Sequence, residues 1–170
     1  QATVGVLNIG GISNLSVLSP SSEGSESSII GFDCGPGNAL MDAWCQQHTG
    51  QMYDADGHWA ANGQVHAPLL AAFMAEPFLS KAPPKSTGRD LFNAAWLGQH
   101  LQSFTRLSPV DVQATLTEFT ALACATSLQR YANTSKQLIV CGGGALNGYL
   151  MQRLQTALPR VSVTSSAEHG

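Results

Sequence analysis

Short apolar runs separated by glycine-rich turns fill the first forty or so positions of the chain. The runs Val4–Asn8 and Asn14–Leu18 flank the segment Ile9-Gly-Gly-Ile-Ser13, and a third run covers Ser28–Asp33 after a polar, serine-rich loop. Two short apolar runs joined through a Gly-Gly pair predict a β-hairpin. We therefore predict three strands here, followed by a helix from Asn38 to His48 with Asn38 as its N-cap residue.

The rest of the chain changes from helical patterns to strand patterns and back. Ser108-Pro-Val-Asp111 has a helix-start composition and predicts a long helix that reaches Tyr131. Further predicted elements are a loop at 53–62, helices at 65–74, 91–104 and 146–158, and strands at 137–141 and 161–164. A strand meander followed by strand–helix alternation predicts an α/β fold, and without a repeat or a clean linker we expect one domain over residues 1–170.

Composition and charge narrow the function classes. Charged residues make up only 11% of the chain, against about 25% in an ordinary domain, so we expect part of the surface to be covered. The formal net charge is −3 and basic residues do not cluster, which argues against a general nucleic-acid binder. No apolar run approaches the roughly 20 residues of a membrane span. The four cysteines lack metal-site spacing, which favours reduced thiols in a reducing cytoplasm.

Asp33 is the first candidate for chemistry. It ends the third apolar run, and Gly35-Pro-Gly37 then predicts a tight turn into the following helix. Such a turn leaves little side-chain bulk around the carboxylate, so that a substrate could approach closely. An ordinary Asx turn that closes a strand has the same pattern, and the residues alone leave both interpretations open.

Two glycine turns are candidates for binding a phosphate or a nucleotide. The first contains Gly10 and Gly11, with Asn8 beside them as a neutral hydrogen-bonding group. The second, Gly142-Gly-Gly144, follows a buried-type strand and precedes a predicted helix, whose N-terminus can hold an anion. Neither turn has the spacing of a Walker A or a GxGxxG motif. A hairpin turn in the first case and tight packing in the second are the alternative interpretations.

Taken together, these motifs resemble the actin-like ATPase superfamily, and most closely its anhydro-N-acetylmuramic acid kinase family. The resemblance covers nearly the whole chain in the family's order. It rests on the blocks Leu7–Asn14, Phe32–Asn38 with Leu40–Asp42, Asp54–Gly57, Lys85–Asn93, Thr115–Ala121 and Cys141–Asn147.

The resemblance implies a ribonuclease H-like (actin-like ATPase) lobe, with a mixed sheet and flanking helices. It implies a kinase that uses ATP and Mg²⁺ to open the 1,6-anhydro ring of anhydro-N-acetylmuramic acid with water. The kinase phosphorylates O6 and yields N-acetylmuramic acid 6-phosphate, in cytoplasmic recycling of cell-wall sugars. It further implies a homodimer with a small-molecule sugar substrate and no nucleic-acid or membrane partner.

The resemblance also assigns roles to individual residues. Asp33 matches the general base that deprotonates the attacking water. Asn8, Gly10 and Gly11 match the second phosphate loop, and the adenosine-side turn corresponds to Gly142, Gly143, Gly144 and Asn147. Gly35 and Asn38, in the same block as Asp33, are candidates for contacting the sugar. No residue is assigned as a metal ligand.

One part of the family pattern is missing, and two other functions remain as alternatives. The family's Gly-x-x-Ser-Gly-Thr-Ser loop does not occur, so we expect this chain to be a middle-to-carboxyl-terminal portion of a two-lobed kinase, inactive or nearly so alone. The main alternative is a non-catalytic actin-like lobe that binds a nucleotide as a scaffold. A metal-dependent hydrolase built on Asp33, Asp54, Asp56 and the histidines ranks last, because ligand spacing is lacking.

Overall fold

A computed structural model describes residues 2–21, 24 and 26–170 of the chain. The predicted polar loop between the second and third strands includes residues 22, 23 and 25, which lie outside the described residues.

A five-stranded mixed sheet forms the centre of the fold. Its strands are β1 (Val4–Ile9), β2 (Ile12–Ser19), β3 (Ser28–Pro36), β4 (Gln137–Cys141) and β5 (Ser162–Ser165), in the spatial order β3-β2-β1-β4-β5. The β1–β2 and β2–β3 pairs are antiparallel, whereas β1–β4 and β4–β5 are parallel. The predicted hairpin and the predicted α/β fold are confirmed.

In the described part of the chain, six α-helices accompany the sheet. They are α1 (Ala39–Thr49), α2 (His58–Ala61), α3 (Ala67–Met74), α4 (Ala94–Leu101), α5 (Pro109–Tyr131) and α6 (Gly148–Ala157). The prediction of a loop at 53–62 is wrong in part, since this segment contains a 3₁₀ turn at Ala55–Gly57 followed by α2. The helices predicted at 65–74 and 91–104 are shorter than expected. No helix in the described part of the chain has the length and apolar character to cross a membrane.

The core lies between one face of the sheet and α5, which is buried along most of its length. Burial alternates along β1 and β2, so Leu7, Ile9 and Leu15 point into this core. An aromatic cluster of Phe73, Phe92, Trp96 and Phe119 extends the core beyond the sheet. Because successive strand residues point to opposite faces, the opposite face presents the polar side chains of the candidate site.

Candidate functional site

Three polar residues, of which Asp33 and Asn8 are candidates, form one row across the sheet. Asp33 on β3 pairs with Asn14 on β2, and Asn14 pairs with Asn8 on β1. Directly opposed residues project from the same face, and adjacent strands are spaced so that Asp33 and Asn8 lie about 10 Å apart. On β4 the row continues at Cys141, immediately before the second glycine turn. The sheet register therefore brings Asp33 level with both glycine turns.

The Asp33 carboxylate accepts hydrogen bonds from two distant segments. The side-chain amide of Asn14 donates to Oδ1 over 3.0 Å, and the backbone N–H of Thr87 donates to Oδ2 over 2.9 Å. Asp33 is itself half-buried. Neither donor was predicted as a partner, because nothing local connects Thr87 with Asp33. The only sequence signal was that all three residues fall in the blocks that carry the family resemblance.

The strand that carries Asp33 does not end where the sequence predicted. β3 continues through Cys34 and Gly35 to Pro36, with a register irregularity opposite Ser13 and Asn14. Asp33 is therefore held within a paired strand and not at the start of a turn. Gly35 has φ of +151° and faces Ala123 on α5, where an added Cβ would lie 3.1 Å from the Ala123 Cβ. Since Gly35 is buried in the core, we do not retain it as a sugar contact.

The first glycine turn packs against the start of α1. The carbonyl of Gly10 accepts from the Asn38 N–H over 2.8 Å, and the carbonyl of Gly11 accepts from Gly37 and Ala39 over 3.0 and 3.2 Å. Asn38 does occupy the N-cap position, but its side chain caps nothing and donates to the Ile9 carbonyl over 3.2 Å. The backbone N–H groups at the start of α1 therefore donate to carbonyls of the first glycine turn.

The three glycines of the second turn differ in how much space a side chain would have. Gly142 has φ of +81° and ψ of −179°, and an added Cβ would overlap Asn8 Oδ1 and lie 2.7 Å from the Ile9 carbonyl oxygen. At Gly144 an added Cβ would lie 2.5 Å from the Ile9 Cβ. Tight packing against β1 therefore explains Gly142 and Gly144. Gly143 is different, because a Cβ there would come no closer than 3.4 Å to Asn38 Nδ2.

The helix after this turn begins later than predicted. A 3₁₀ turn at Gly143–Leu146 comes first, and α6 starts at Gly148 with Asn147 as its cap. The Asn147 side chain accepts from the Leu150 N–H over 2.9 Å, and Asp56 Oδ1 accepts from the Gly148 N–H over 2.8 Å. The prediction that the helix N-terminus holds an anion is therefore wrong for these two amides, which protein groups already engage.

A cleft of about 460 Å³ opens between the second glycine turn, the start of α1 and the loop that precedes α2. Its walls include two large side chains that remain mostly in solvent, Tyr53 at 64% and Leu146 at 82% exposure. The remaining lining residues are Asn38, Asp42, Asp54, Ala55, Asp56, Gly143 and Asn147. A volume of this size, with an apolar rim and a few polar groups, suits a nucleoside-sized ligand.

Three carboxylates border this cleft in different environments. Burial raises the pKa of Asp42 to about 6, and the nearby Arg89 guanidinium opposes that shift. Asp54 accepts from the backbone N–H groups of Trp59 and Ala60, each over 2.9 Å. Because Asp54 and Asp56 both accept hydrogen bonds from backbone amides, these two carboxylates stabilise the conformation of the loop. Across the described residues, no three His, Cys, Asp or Glu side chains group as a metal site would require.

Parallel strands with glycine turns at their ends, a cleft beside them and a carboxylate in register together agree with the predicted actin-like ATPase lobe. A family model described as "Anhydro-N-acetylmuramic acid kinase" matches residues 1–170. The chain belongs to the anhydro-N-acetylmuramic acid kinase family.

Two curated members of this family illustrate the similarity. An anhydro-N-acetylmuramic acid kinase from Variovorax paradoxus is 60% identical over 98% of this chain, and one from Cupriavidus pinatubonensis is 55% identical over 97%. In both cases the match covers 44% of the relative, so the chain spans less than half the length of these kinases. The matched shares give no position within the relatives. The expected middle-to-carboxyl-terminal placement is therefore not supported by them, and we do not retain it.

Solved structures with the same fold are much more distant in sequence. The activator of 2-hydroxyisocaproyl-CoA dehydratase from Clostridium difficile, solved with bound ADPNP, has a TM-score of 0.59 at 14% identity and covers 96% of this chain and 53% of its own. Component A of (R)-2-hydroxyglutaryl-CoA dehydratase from Acidaminococcus fermentans has a TM-score of 0.58, also at 14% identity, over 95% of this chain and 54% of its own. The chain has the predicted actin-like ATPase fold, with a mixed sheet and flanking helices.

The residues that the kinase family resemblance selected fall into three places in the structure. Asn8, Asn38, Asn147 and the two glycine turns surround the cleft or pack directly against its walls. Asp33 stands apart from the cleft but in register with Asn8. Gly35 belongs to the core.

Proposed function

We propose that this chain is part of an ATP-dependent kinase that opens the 1,6-anhydro ring of anhydro-N-acetylmuramic acid and phosphorylates O6. Family membership supports the reaction class. The observation that carries the proposal is the cross-strand row, in which Asp33 lies in register with Asn8 at the glycine turns. This arrangement can hold a water-activating carboxylate and a phosphoryl donor on one face of one sheet.

The cleft beside Gly143 is the place we assign to the nucleoside of ATP. Tyr53 and Leu146 offer exposed apolar surface for a base, and Gly143 leaves the backbone accessible. The phosphates would then extend towards Asn8 and the Gly10-Gly11 turn. When bound, ATP supplies the phosphoryl group and Mg²⁺ offsets the phosphate charge. No residue of this chain is assigned as a ligand of Mg²⁺.

Asp33 is suited to the role of general base. An ionised carboxylate offers about four acceptor positions, of which Asn14 and Thr87 use two. Those two donors fix the orientation of the carboxylate and leave acceptor capacity for a water. That water would lose its proton to Asp33 as it attacks the anomeric carbon, and the departing O6 would accept the phosphoryl group. One carboxylate is enough for this route, because the departing O6 takes up the phosphoryl group and needs no general acid to protonate it, and no covalent sugar intermediate is formed.

The length of the matched relatives bears on how much this chain does alone. Since the chain spans 44% of those kinases, we propose that the remaining part supplies the other side of the nucleotide and sugar sites. We accordingly expect the 170-residue chain by itself to have little or no turnover. A homodimer and a cytoplasmic location remain predictions that accompany the proposal.

Replacing Asp33 by asparagine in the full-length protein tests the function. We expect Asp33→Asn to lower turnover of anhydro-N-acetylmuramic acid with Mg-ATP by about 10²–10⁴-fold, the usual contribution of a general base. Nucleotide affinity should stay within a few-fold of the parent, because Asp33 does not line the cleft. Glu26→Gln, at an exposed position between β2 and β3, is the matched control for loss of a carboxylate.

The same experiment separates the two remaining functions. Phosphorylated sugar from the parent and from Glu26→Gln, but not from Asp33→Asn, supports the kinase. Nucleotide binding by the parent without any sugar product would contradict the kinase and favour the non-catalytic scaffold. Full turnover in Asp33→Asn would reject Asp33 as the base.

A further inference from the structure

A short loop segment covers the edge of the sheet beside Asp33. β3 is the last strand in the sheet order, so one of its edges has no strand partner among the described residues. There the Asp33 N–H donates to the carbonyl of Lys85 over 3.2 Å, and two residues later the Thr87 N–H donates to the Asp33 carboxylate. The loop therefore binds both the backbone and the side chain of Asp33.

The Lys85 side chain fixes this loop from the other direction. Its ammonium Nζ donates to the carbonyls of Phe78 and Leu79, each over 3.3 Å. It also lies 4.8 Å from the ring centroid of Phe78 and 5.8 Å from that of Phe32, the residue before Asp33 on β3. One cation thus connects the loop, the 3₁₀ turn at 77–80 and the strand that carries the proposed base.

The chemistry of this position favours lysine over an uncharged residue. An ammonium has three N–H donors and can serve two carbonyls while it contacts aromatic ring faces. Burial lowers the pKa of Lys85, which agrees with an ammonium held partly away from water. Arg130 also donates to the Leu79 carbonyl over 3.3 Å, but it makes no contact with Asp33, Lys85 or Thr87 among the hydrogen bonds of the described residues.

We propose that Lys85 is a positioning residue, which holds the loop so that the Thr87 N–H stays directed at the Asp33 carboxylate. Without the ammonium, the loop loses the two hydrogen bonds from Lys85 Nζ to the 3₁₀ turn at 77–80, and the hydrogen bond from the Thr87 N–H to the Asp33 carboxylate is weakened. The catalytic consequence of Lys85 rests on the proposed function of Asp33. The structural consequence, at the amide of Thr87, does not.

Hydrogen exchange in the full-length protein tests the proposal without any need for activity. In Lys85→Met, we expect the Thr87 amide to exchange at least about tenfold faster, because local opening of the loop becomes easier. The Leu116 amide, in the buried middle of α5, should keep its parental rate. Lys81→Met, which removes an exposed cation from the same connection, is the matched control and should leave both rates unchanged.

Steady-state kinetics give a second readout. We expect Lys85→Met to lower kcat by about tenfold while the KM for ATP stays within about twofold, since a misoriented base affects the chemical step and not the cleft. Lys81→Met should match the parent in both constants.

Each outcome decides between positioning and a general stabilising role. Faster exchange at Thr87 alone supports the proposal. An unchanged Thr87 rate overturns it, and so does an equal increase at Thr87 and Leu116, which would mean that Lys85 only stabilises the whole fold. Faster Thr87 exchange in a protein that lacks kinase activity would reject the proposed function and leave the positioning role intact. If Lys85→Met does not fold, Lys85→Gln, which keeps a donor without the charge, is measured by the same criteria.

Discussion

The two halves of the candidate site share one end of the same sheet but are built in opposite ways. Around Asp33, hydrogen bonds arrive from Asn14 and Thr87, which are 19 and 54 positions away along the chain. Around the cleft, glycines allow two backbone segments to pack closely. Gly142 and Gly144 lie against the end of β1, and a Cβ added at Gly37 would overlap the carbonyl oxygen of Gly10. The first region depends on donors, and the second depends on the absence of side-chain atoms.

This difference predicts opposite sensitivities. Added atoms should damage the cleft, because interiors packed to this density accommodate extra volume only by moving backbone. Removed donors should damage the Asp33 region, because a half-buried carboxylate needs partners to keep its orientation. Each region can therefore be disturbed by a substitution that the other would tolerate.

The largest effect is expected from Gly142→Ala. The backbone at Gly142 occupies a region of φ and ψ that is almost restricted to glycine, and the new Cβ would overlap Asn8 Oδ1. Strain and overlap together should lower the free energy of unfolding by about 2–5 kcal/mol and weaken ATP binding. Chemical denaturation and nucleotide titration of the full-length protein measure both quantities.

Gly143→Ala is the matched control for that substitution. Its Cβ would have 3.4 Å to the nearest atom, so the free energy of unfolding should change by less than about 1 kcal/mol. If the two alanine variants were equally stable, close packing would not explain the second glycine turn.

The next largest effect should follow from Asn14→Ala in the Asp33 region. Hydrogen bonds to charged groups are worth about 1.5–3 kcal/mol, so loss of the Asn14 donor should lower kcat by roughly 10- to 100-fold. Ser16→Ala, two positions along β2 on the same face, should leave kcat unchanged. A normal kcat in Asn14→Ala would mean that the Thr87 amide alone orients Asp33.

A smaller effect, of opposite sign, is expected from Asp42→Asn at the cleft. Burial raises the folded-state pKa of Asp42 to about 6 from an ordinary 3.8, so folding favours its protonated form. The stability that this group contributes is fully present below pH about 4 and is lost as the pH rises to about 6. Asp42→Asn should therefore be more stable than the parent at neutral pH, by about 1–2 kcal/mol after allowance for solvent screening.

The pH dependence is the control for this prediction. The stability difference between Asp42→Asn and the parent should disappear below pH about 4, where both side chains are neutral. Thermal unfolding at several pH values provides the test. A difference that did not vary with pH would contradict the assigned cause.

The smallest effect is expected from Asn147→Ala at the start of α6. Loss of the cap that accepts from Leu150 should lower the free energy of unfolding by about 1 kcal/mol. Asn147→Ser, which keeps a side-chain oxygen at the N-cap, should recover most of that loss. If serine were no better than alanine, Asn147 would act through the cleft and not through the cap.

Local patterns were sufficient to predict most of the fold. The Gly-Gly hairpin, the β4 strand and the start of α5 at Ser108-Pro109 were confirmed, because each depends on neighbouring residues alone. The errors came where distant residues compete with local preferences. Asn38 is of a residue type that commonly caps helices, yet its side chain donates a hydrogen bond to the Ile9 carbonyl and not to the helix. Similarly, β3 extends past Asp33 because β2 pairs with it as far as Pro36.

The sequence by itself determined which residues could carry chemistry and, through its motifs, the family to which the chain belongs. Asp33 and the glycine turns stand out because their residue types and spacing are local properties. Only the tertiary structure decided how they act together: which face Asp33 occupies, that Asn14 and Thr87 hold its carboxylate, and that Gly143 borders the cleft while Gly142 and Gly144 serve packing. These relations depend on strand register and on contacts between residues far apart along the chain, which no local pattern encodes.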